Sequence, residues 1–120
     1  MIKDIAFTGY PVSDVSRARE FYEGILGLVP SEEFPPTSES SWLEYVIGSN
    51  TLALGSMKEW PPMKGGPTIA LEVDDLTAMT TLLKEKNVSF LMEPMDFPGC
   101  SMAIIKDPDE NLITLHQKKV

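Results

Sequence analysis

An internal repeat is the feature of this sequence that most constrains its fold. The segment Val12-Ser13-Asp14 can be laid over Val73-Asp74-Asp75, with Asp75 standing 61 positions after Asp14. Each segment follows a strand-like run and precedes a helix-like one. Because self-similarity at a fixed period marks tandem structural units, the sequence predicts two homologous halves.

Each half is predicted to contain one amphipathic helix. Ser13 or Asp14 can accept hydrogen bonds from the first free amides of the first helix, and Gly27 ends it. The second helix follows Asp74-Asp75 and ends near Asn87. Apolar side chains recur every three or four residues in both helices, at Val15, Ala18, Phe21, Tyr22, Ile25 and Leu26 and at Leu76, Met79, Leu82 and Leu83.

One strand is predicted before each helix and three after it, which gives a β-α-β-β-β order in each half. The turn-rich segments 48–50 and 107–111 are expected to connect hairpins, and Pro35-Pro36 to form a loop or an edge bulge. The predicted strands are 5–12, 28–33, 42–47 and 51–55 in the first half, and 69–73, 89–93, 101–106 and 112–116 in the second.

The length of the chain, 120 residues, suits one ordinary domain and is too short for two independent cores of usual size. We therefore predict a single domain over 1–120. Its first module covers about 1–58, and its second covers about 67–118. The connector between them, about 59–66, combines stiff prolines with permissive glycines.

Composition restricts the partners of the protein. A net charge of -8, with arginine only at positions 17 and 19, disfavours nucleic acid, because a phosphate backbone has to be neutralised by clustered cations. No apolar run approaches the length of a membrane span, so no membrane partner is expected. The lone cysteine, Cys100, cannot form an internal disulfide, which favours a cytoplasmic location.

Several segments together resemble one known family. Val12-Ser13-Asp14, Phe21-Tyr22 and Leu26-Gly27-Leu28 resemble the opening signature of the vicinal-oxygen-chelate superfamily, which includes glyoxalases, bleomycin-resistance proteins and dioxygenases. The segment 105–113 is similar to its closing hairpin, although Glu110 stands where the family more often has glycine, which predicts a different turn geometry there.

The resemblance covers nearly the whole chain, and it implies an α+β fold. In that fold, tandem βαβββ modules form a curved mixed sheet around a cavity, with the helices on the outer face. Members with two halves commonly pair, so the resemblance also implies a homodimer.

The resemblance further implies metal ligands on the first and last strands of each half, and this sequence lacks them. Where metalloenzymes of the family have histidine or glutamate, it has Phe7, Ala53, Thr68 and Thr114. Divalent metals need converging imidazole, carboxylate or thiolate ligands. We therefore predict no metal ligands and no cofactor.

Several other residues are candidates for a binding site. His116, two residues beyond Thr114, is expected on the same side of its strand, as a ligand contact or as an ordinary surface histidine. Alternation places Trp42 and Glu44 on one face of their strand and Leu43 and Tyr45, with Ile47, on the other, and we favour the first pair as pocket-facing. Met92, Met102 and Trp60 can line a pocket or fill the core.

These observations favour a metal-free protein that binds a small organic molecule, aromatic or cationic, in a largely apolar cavity. The ligand-binding candidates are Phe7, Trp42, Thr68, Met102, Thr114 and His116. The alternative is a glyoxalase- or lyase-type enzyme with a non-standard or metal-independent site using Glu44 and His116, so enzymatic activity is left open. A third possibility is an interaction module whose cavity has filled with side chains such as Phe7. Cys100 is expected to be structural, since no basic group nearby in sequence would activate its thiol.

Overall fold

The computed structural model describes residues 1–34, 36–37 and 40–119 of the chain. It contains two compact units, Met1–Met63 and Lys64–Val120. Each unit has the predicted β-α-β-β-β order, which confirms the α+β class and the tandem modules. Pro35, predicted to form a loop or an edge bulge with Pro36, lies outside the described residues.

The elements of the two units correspond one to one. The first unit contains β1 (Thr8–Pro11), α1 (Val15–Arg19) continuing as a π-helical segment (Glu20–Ile25), β2 (Pro30–Phe34), β3 (Ser40–Ile47) and β4 (Asn50–Met57). The second contains β5 (Ile69–Glu72), α2 (Leu76–Glu85), β6 (Phe90–Asp96), β7 (Cys100–Lys106) and β8 (Leu112–Lys118). No helix among the described residues is long and apolar enough to cross a membrane.

Each unit forms one four-stranded mixed sheet with the same strand order, β1-β4-β3-β2 in the first and β5-β8-β7-β6 in the second. The first and last strands of each unit pair in parallel, and the other neighbours are antiparallel. Gly9 pairs with Ala53, and Ala70 pairs with Thr114. Both pairs keep the 61-residue offset, so the structure supports the alignment of Ala53 with Thr114.

One face of each sheet is covered by the helix of its own unit. Leu43 and Tyr45 of β3 are buried there, with Leu52 and Leu54 of β4. Tyr45 stacks on Tyr22 with ring centroids 6.2 Å apart. In the second unit, the corresponding core comprises Leu76, Leu83, Ala103, Ile105, Ile113 and Leu115. The helices begin as predicted, because Asp14 accepts the amide of Arg17 and Asp75 that of Ala78.

The first helix differs from the regular α-helix that its sequence predicts, because its second half is π-helical. The amide of Leu26 bonds to the carbonyl of Phe21, five residues earlier. Widening the turn allows the adjacent side chains Phe21 and Tyr22 both to be buried. In regular α2, Leu83 is fully buried whereas its neighbour Leu82 is 41% exposed. Helical periodicity gave no sign of this difference.

A small polar network ties the π-helical segment to the sheet. The hydroxyl of Tyr45 donates a hydrogen bond to Glu23 Oε2 at 2.9 Å, and Arg19 Nε lies 2.8 Å from the same oxygen. Burial, together with the bond to Glu23, raises the pKa of Tyr45 well above its ordinary value. The hydroxyl therefore stays protonated and keeps donating throughout the pH range in which proteins are usually handled.

The β7–β8 hairpin is held by the buried carboxylate of Asp107. Its Oδ1 accepts the amides of Asp109 and Asn111, each at 2.8 Å, and its Oδ2 accepts the side-chain amide of Asn111. Glu110 lies in this turn with φ 66°, in the left-handed region that favours glycine. The turn therefore takes a conformation that glycine adopts freely, although a glutamate occupies it.

The strain at this position can be measured by comparing two substitutions. Glu110→Gly and Glu110→Ala both remove the ion pairs with Lys64 and Lys106, but only glycine relieves the left-handed backbone. We expect Glu110→Gly to be more stable than Glu110→Ala by about 1 kcal/mol in urea unfolding. Equal unfolding midpoints would show that the turn is not strained.

Candidate functional site

The candidate site residues of the first unit lie on the sheet face opposite its helix. Leu43 and Tyr45 are buried on the helix side, so alternation along β3 places Trp42 and Glu44 on the other face. Register adds Ala53, which pairs with Glu44, and Gly55, which pairs with Trp42. We call this surface the open face of the first sheet.

Three aromatic rings meet on this open face. Phe7 approaches Trp42 edge to face, with ring centroids 5.2 Å apart, and Trp42 lies 6.2 Å from Trp60 at an interplanar angle of 31°. We call these three residues the aromatic cluster. Phe7 is 41% exposed, so one ring of the cluster remains accessible to a ligand.

Two glycines allow the indoles to lie against the strands. A Cβ atom on Gly55 would come within 2.8 Å of Trp60 Cζ3 and 2.9 Å of Trp42 Cε3, and one on Gly9 would come within 3.1 Å of Trp60 Cη2. Such separations are shorter than ordinary van der Waals contact. The side-chain-free positions on β1 and β4 are therefore what permits the close approach of Trp60 and Trp42.

Glu44 fixes the orientation of one indole. The Nε1–H of Trp42 donates a hydrogen bond to Glu44 Oε2 at 2.9 Å, and both side chains are partly buried. Glu44 is one of the two residues that the alternative enzyme hypothesis uses. Its observed contact gives it a positioning role, beside an aromatic surface, in addition to whatever chemistry it performs.

The remaining predicted ligand-binding residues lie on the face of the second sheet opposite α2, which we call the open face of the second sheet. His116 pairs with Met102 across β8 and β7, and the hydroxyls of Thr68 and Thr114 are 2.8 Å apart. Thr68 also donates to the carbonyl of Ile69. The structure thus brings Thr68 to Thr114 and Met102 to His116 within the second unit, just as it brings Phe7 to Trp42 within the first.

Glu72 is a functional candidate that the sequence reasoning missed. Its Oε1 lies 2.6 Å from His116 Nδ1, and its Oε2 accepts the amide of Lys118 at 2.8 Å. The bond from the Lys118 amide, followed by that from His116, lowers the pKa of Glu72. Strand register was the signal available, since Glu72 and His116 occupy neighbouring positions on β5 and β8.

The four positions at which the family resemblance implies metal ligands do not form a suitable donor set. Phe7 and Ala53 have no donor atom, and the hydroxyls of Thr68 and Thr114 bond to each other. A divalent metal requires several imidazole, carboxylate or thiolate donors. Among the described residues, no group of three histidine, cysteine, aspartate or glutamate side chains is placed to hold a metal ion.

The other sulfur-containing candidates are partly exposed. Cys100 is a free, half-buried cysteine at the start of β7, opposite Lys118. Met92 and Met102 are also half-buried, and Met92 lies opposite Ile104 on the open face of the second sheet. Both methionines therefore belong to the open face rather than to the core beneath α2.

The packing of the aromatic cluster can be tested with Gly55→Ala. The added methyl group displaces one or both indoles, so we expect a loss of about 1–3 kcal/mol in unfolding free energy and an altered tryptophan emission spectrum. Gly99→Ala is the matched control, because a Cβ there meets nothing within 4 Å. An unchanged spectrum and stability in Gly55→Ala would contradict the close packing.

Comparison with known proteins gives relatives along nearly the whole chain. The chain is 29% identical to YetH and 30% identical to YurT, both uncharacterized proteins of Bacillus subtilis (strain 168), with alignments covering 98% and 95% of this chain and 100% and 98% of the relatives. Among solved structures, it is similar to TnmS3, an antibiotic binding protein from Streptomyces sp. CB03234. The TM-score is 0.77 at 27% identity, and 98% of each chain is covered.

A family model points to the same group. The model for the Glyoxalase/Bleomycin resistance protein/Dioxygenase superfamily matches residues 4–115, which include all eight strands at least in part. On that match, the chain belongs to the Glyoxalase/Bleomycin resistance protein/Dioxygenase superfamily.

Proposed function

We propose that this protein binds a small organic molecule, flat and aromatic or cationic, without the help of a metal ion. The observation that carries the proposal is the aromatic cluster on the open face of the first sheet, with Phe7 partly exposed beside Trp42. Rings of this kind offer large, stiff contact surfaces to planar ligands. The similarity to an antibiotic binding protein supports the same class of function.

The carboxylate of Glu44 makes the aromatic cluster suitable for a cation. Only Oε2 is engaged by Trp42, and Oε1 has no hydrogen-bond partner within the part of the chain that the structure describes. A positively charged ligand over the Trp42 ring would be attracted both by the ring and by the adjacent carboxylate. The net charge of -8 acts in the same direction at longer range.

The open face of the second sheet offers contacts of its own to a ligand. Met102 and His116 provide an apolar and a polar contact, respectively, while Thr68 and Thr114 provide a hydroxyl pair. Methionine adapts to ligands of differing shape because its side chain is flexible and polarizable. No step of the proposed binding requires a metal ion at Phe7, Ala53, Thr68 or Thr114.

Tryptophan fluorescence tests this proposal, because both tryptophans of the chain belong to the aromatic cluster. Titration with neutral aromatic compounds and with aromatic cations is expected to give saturable emission changes and a raised melting temperature. Phe7→Ala should weaken binding by about tenfold, since it removes an aromatic contact. Val29→Ala removes an exposed apolar side chain outside the strands and serves as control. Absence of any saturable change across both compound classes would refute the proposal.

The Glu72–His116 pair favours a second candidate, metal-independent acid–base catalysis. A carboxylate bonded to Nδ1 orients an imidazole and stabilises it when Nε2 accepts a proton. The alternative enzyme hypothesis also uses Glu44, which lies in the first unit and bonds to Trp42. Within the second unit, Glu72 is the carboxylate that contacts the histidine.

This second candidate predicts proton exchange at an activated carbon. Wild-type protein should speed the exchange of acidic C–H protons of α-keto or β-dicarbonyl compounds into heavy water, followed by NMR. His116→Gln should lose at least about a hundredfold of that acceleration. Exchange at the uncatalysed rate with the wild-type protein would dismiss general-base catalysis by His116 for these compounds.

The proposal includes a homodimer in the cytoplasm. Membership of a superfamily in which dimers are common supports the pairing. The single cysteine supports a reducing compartment, because the chain cannot form an internal disulfide.

A further inference from the structure

We propose that the ligand carries a hydrogen-bond donor, a hydroxyl or ring N–H group on a flat apolar skeleton, and that this group donates to Nε2 of His116. The inference rests on the proposed binding function and names the chemical class of its ligand. It follows from the hydrogen bonds of Glu72 and from the side chains beside His116.

The carboxylate of Glu72 is held in place from two sides. Oε1 contacts His116 Nδ1 at 2.6 Å, and Oε2 accepts the main-chain amide of Lys118 at 2.8 Å. A main-chain donor moves only with the strand, so β8 itself orients the carboxylate towards the imidazole. The depressed pKa of Glu72 agrees with a group that is ionised at neutral pH.

The ionised carboxylate dictates the tautomer of a neutral His116. A carboxylate can only accept, so the single ring proton must lie on Nδ1. Nε2 then carries a lone pair. Among the described residues no hydrogen-bond partner of Nε2 is present, and 30% of the His116 side chain is exposed. The structure therefore offers a ligand an oriented acceptor.

The side of this acceptor that faces β7 is apolar. Met102 on β7 lies directly opposite His116 on β8, and Met95 on β6 lies opposite Met102. Side chains directly opposite each other on a sheet are about 5 Å apart, which allows one planar ligand to contact all three. Thioethers make favourable contacts with aromatic rings. An apolar ring system over Met102 and Met95 would bring its substituent to His116.

The nearby threonines have no free hydroxyl proton to offer a ligand. Thr68 donates to the Ile69 carbonyl, so in the Thr68–Thr114 pair the proton must come from Thr114. Both hydroxyl protons are used within the protein. A ligand that covers Nε2 of His116 without donating to it would leave that lone pair unpaired.

A matched ligand pair tests the inference: β-naphthol and its methyl ether, which differ in the donor. His116 is the single histidine of the chain, so its imidazole resonances are unambiguous in NMR. Titrations are made at a pH at which those resonances show a neutral ring, with affinities measured by calorimetry. We expect β-naphthol to bind at least about tenfold more tightly than the ether and to shift the His116 resonances.

Two variants separate the hydrogen bond from simple packing. His116→Phe keeps a flat ring but removes the acceptor, and should bring the two affinities to within about twofold. Glu72→Gln can donate its amide to Nδ1, which moves the ring proton to Nε2 and should abolish the preference for β-naphthol. Glu85→Gln removes an exposed carboxylate from the end of α2 and should leave the preference unchanged.

The outcomes distinguish this inference from the proposed function. Equal binding of both compounds, or binding of β-naphthol without a shift of the His116 resonances, overturns the donor assignment while small-molecule binding stands. Failure of β-naphthol to bind, while other aromatic compounds change the tryptophan emission, also overturns only the donor assignment. Failure of every compound in both assays overturns the donor assignment together with the proposed function.

Discussion

The parallel pairing of the first strand with the last governs the arrangement of each unit. β1 pairs with β4, and β5 with β8, and strands that run parallel cannot be joined by a tight hairpin. The helix and the two intervening strands form the long connection, and the helix packs on one sheet face. Among the described residues, no helix of the same unit covers the opposite face. The residues proposed to bind a ligand are on that face.

The two faces of each sheet obey different requirements. On the helix side, the side chains fill the core, and the one hydroxyl among them that we describe, that of Tyr45, is satisfied within the protein by Glu23. On the open side, several side chains have exposed surface or a polar atom that makes no hydrogen bond within the described part of the protein. Phe7 is partly exposed, and Glu44 and His116 each use one polar atom within the protein and present another. Exposed rings and unpaired polar atoms can contact a ligand, whereas in a core an unpaired polar atom would be destabilising.

Much of the fold was predictable because its signals are local or periodic. The repeat, the Asp14 and Asp75 caps and the turns at 48–50 and 107–111 are written in short segments. The π-helical segment could not be predicted in this way, because it depends on the burial of both Phe21 and Tyr22 in the folded unit. Strand alternation placed Trp42 beside Glu44. The contact between Glu72 and His116 depends on register across 44 residues, which no local pattern encodes. Trp60 lies outside the strands, so strand alternation could not predict which face of the sheet it contacts.

Gly55 and His116 occupy equivalent places in the two units, each on the last strand and paired with the same element of the repeat. In one unit the absence of a side chain makes room for two indoles. In the other, the equivalent position carries the imidazole that contacts Glu72. Equivalent positions of the repeat therefore have different roles in the two units. A chain made of two copies of the first half would lack the imidazole, and one made of two copies of the second half would lack the paired indoles, so only the combination of different halves carries both.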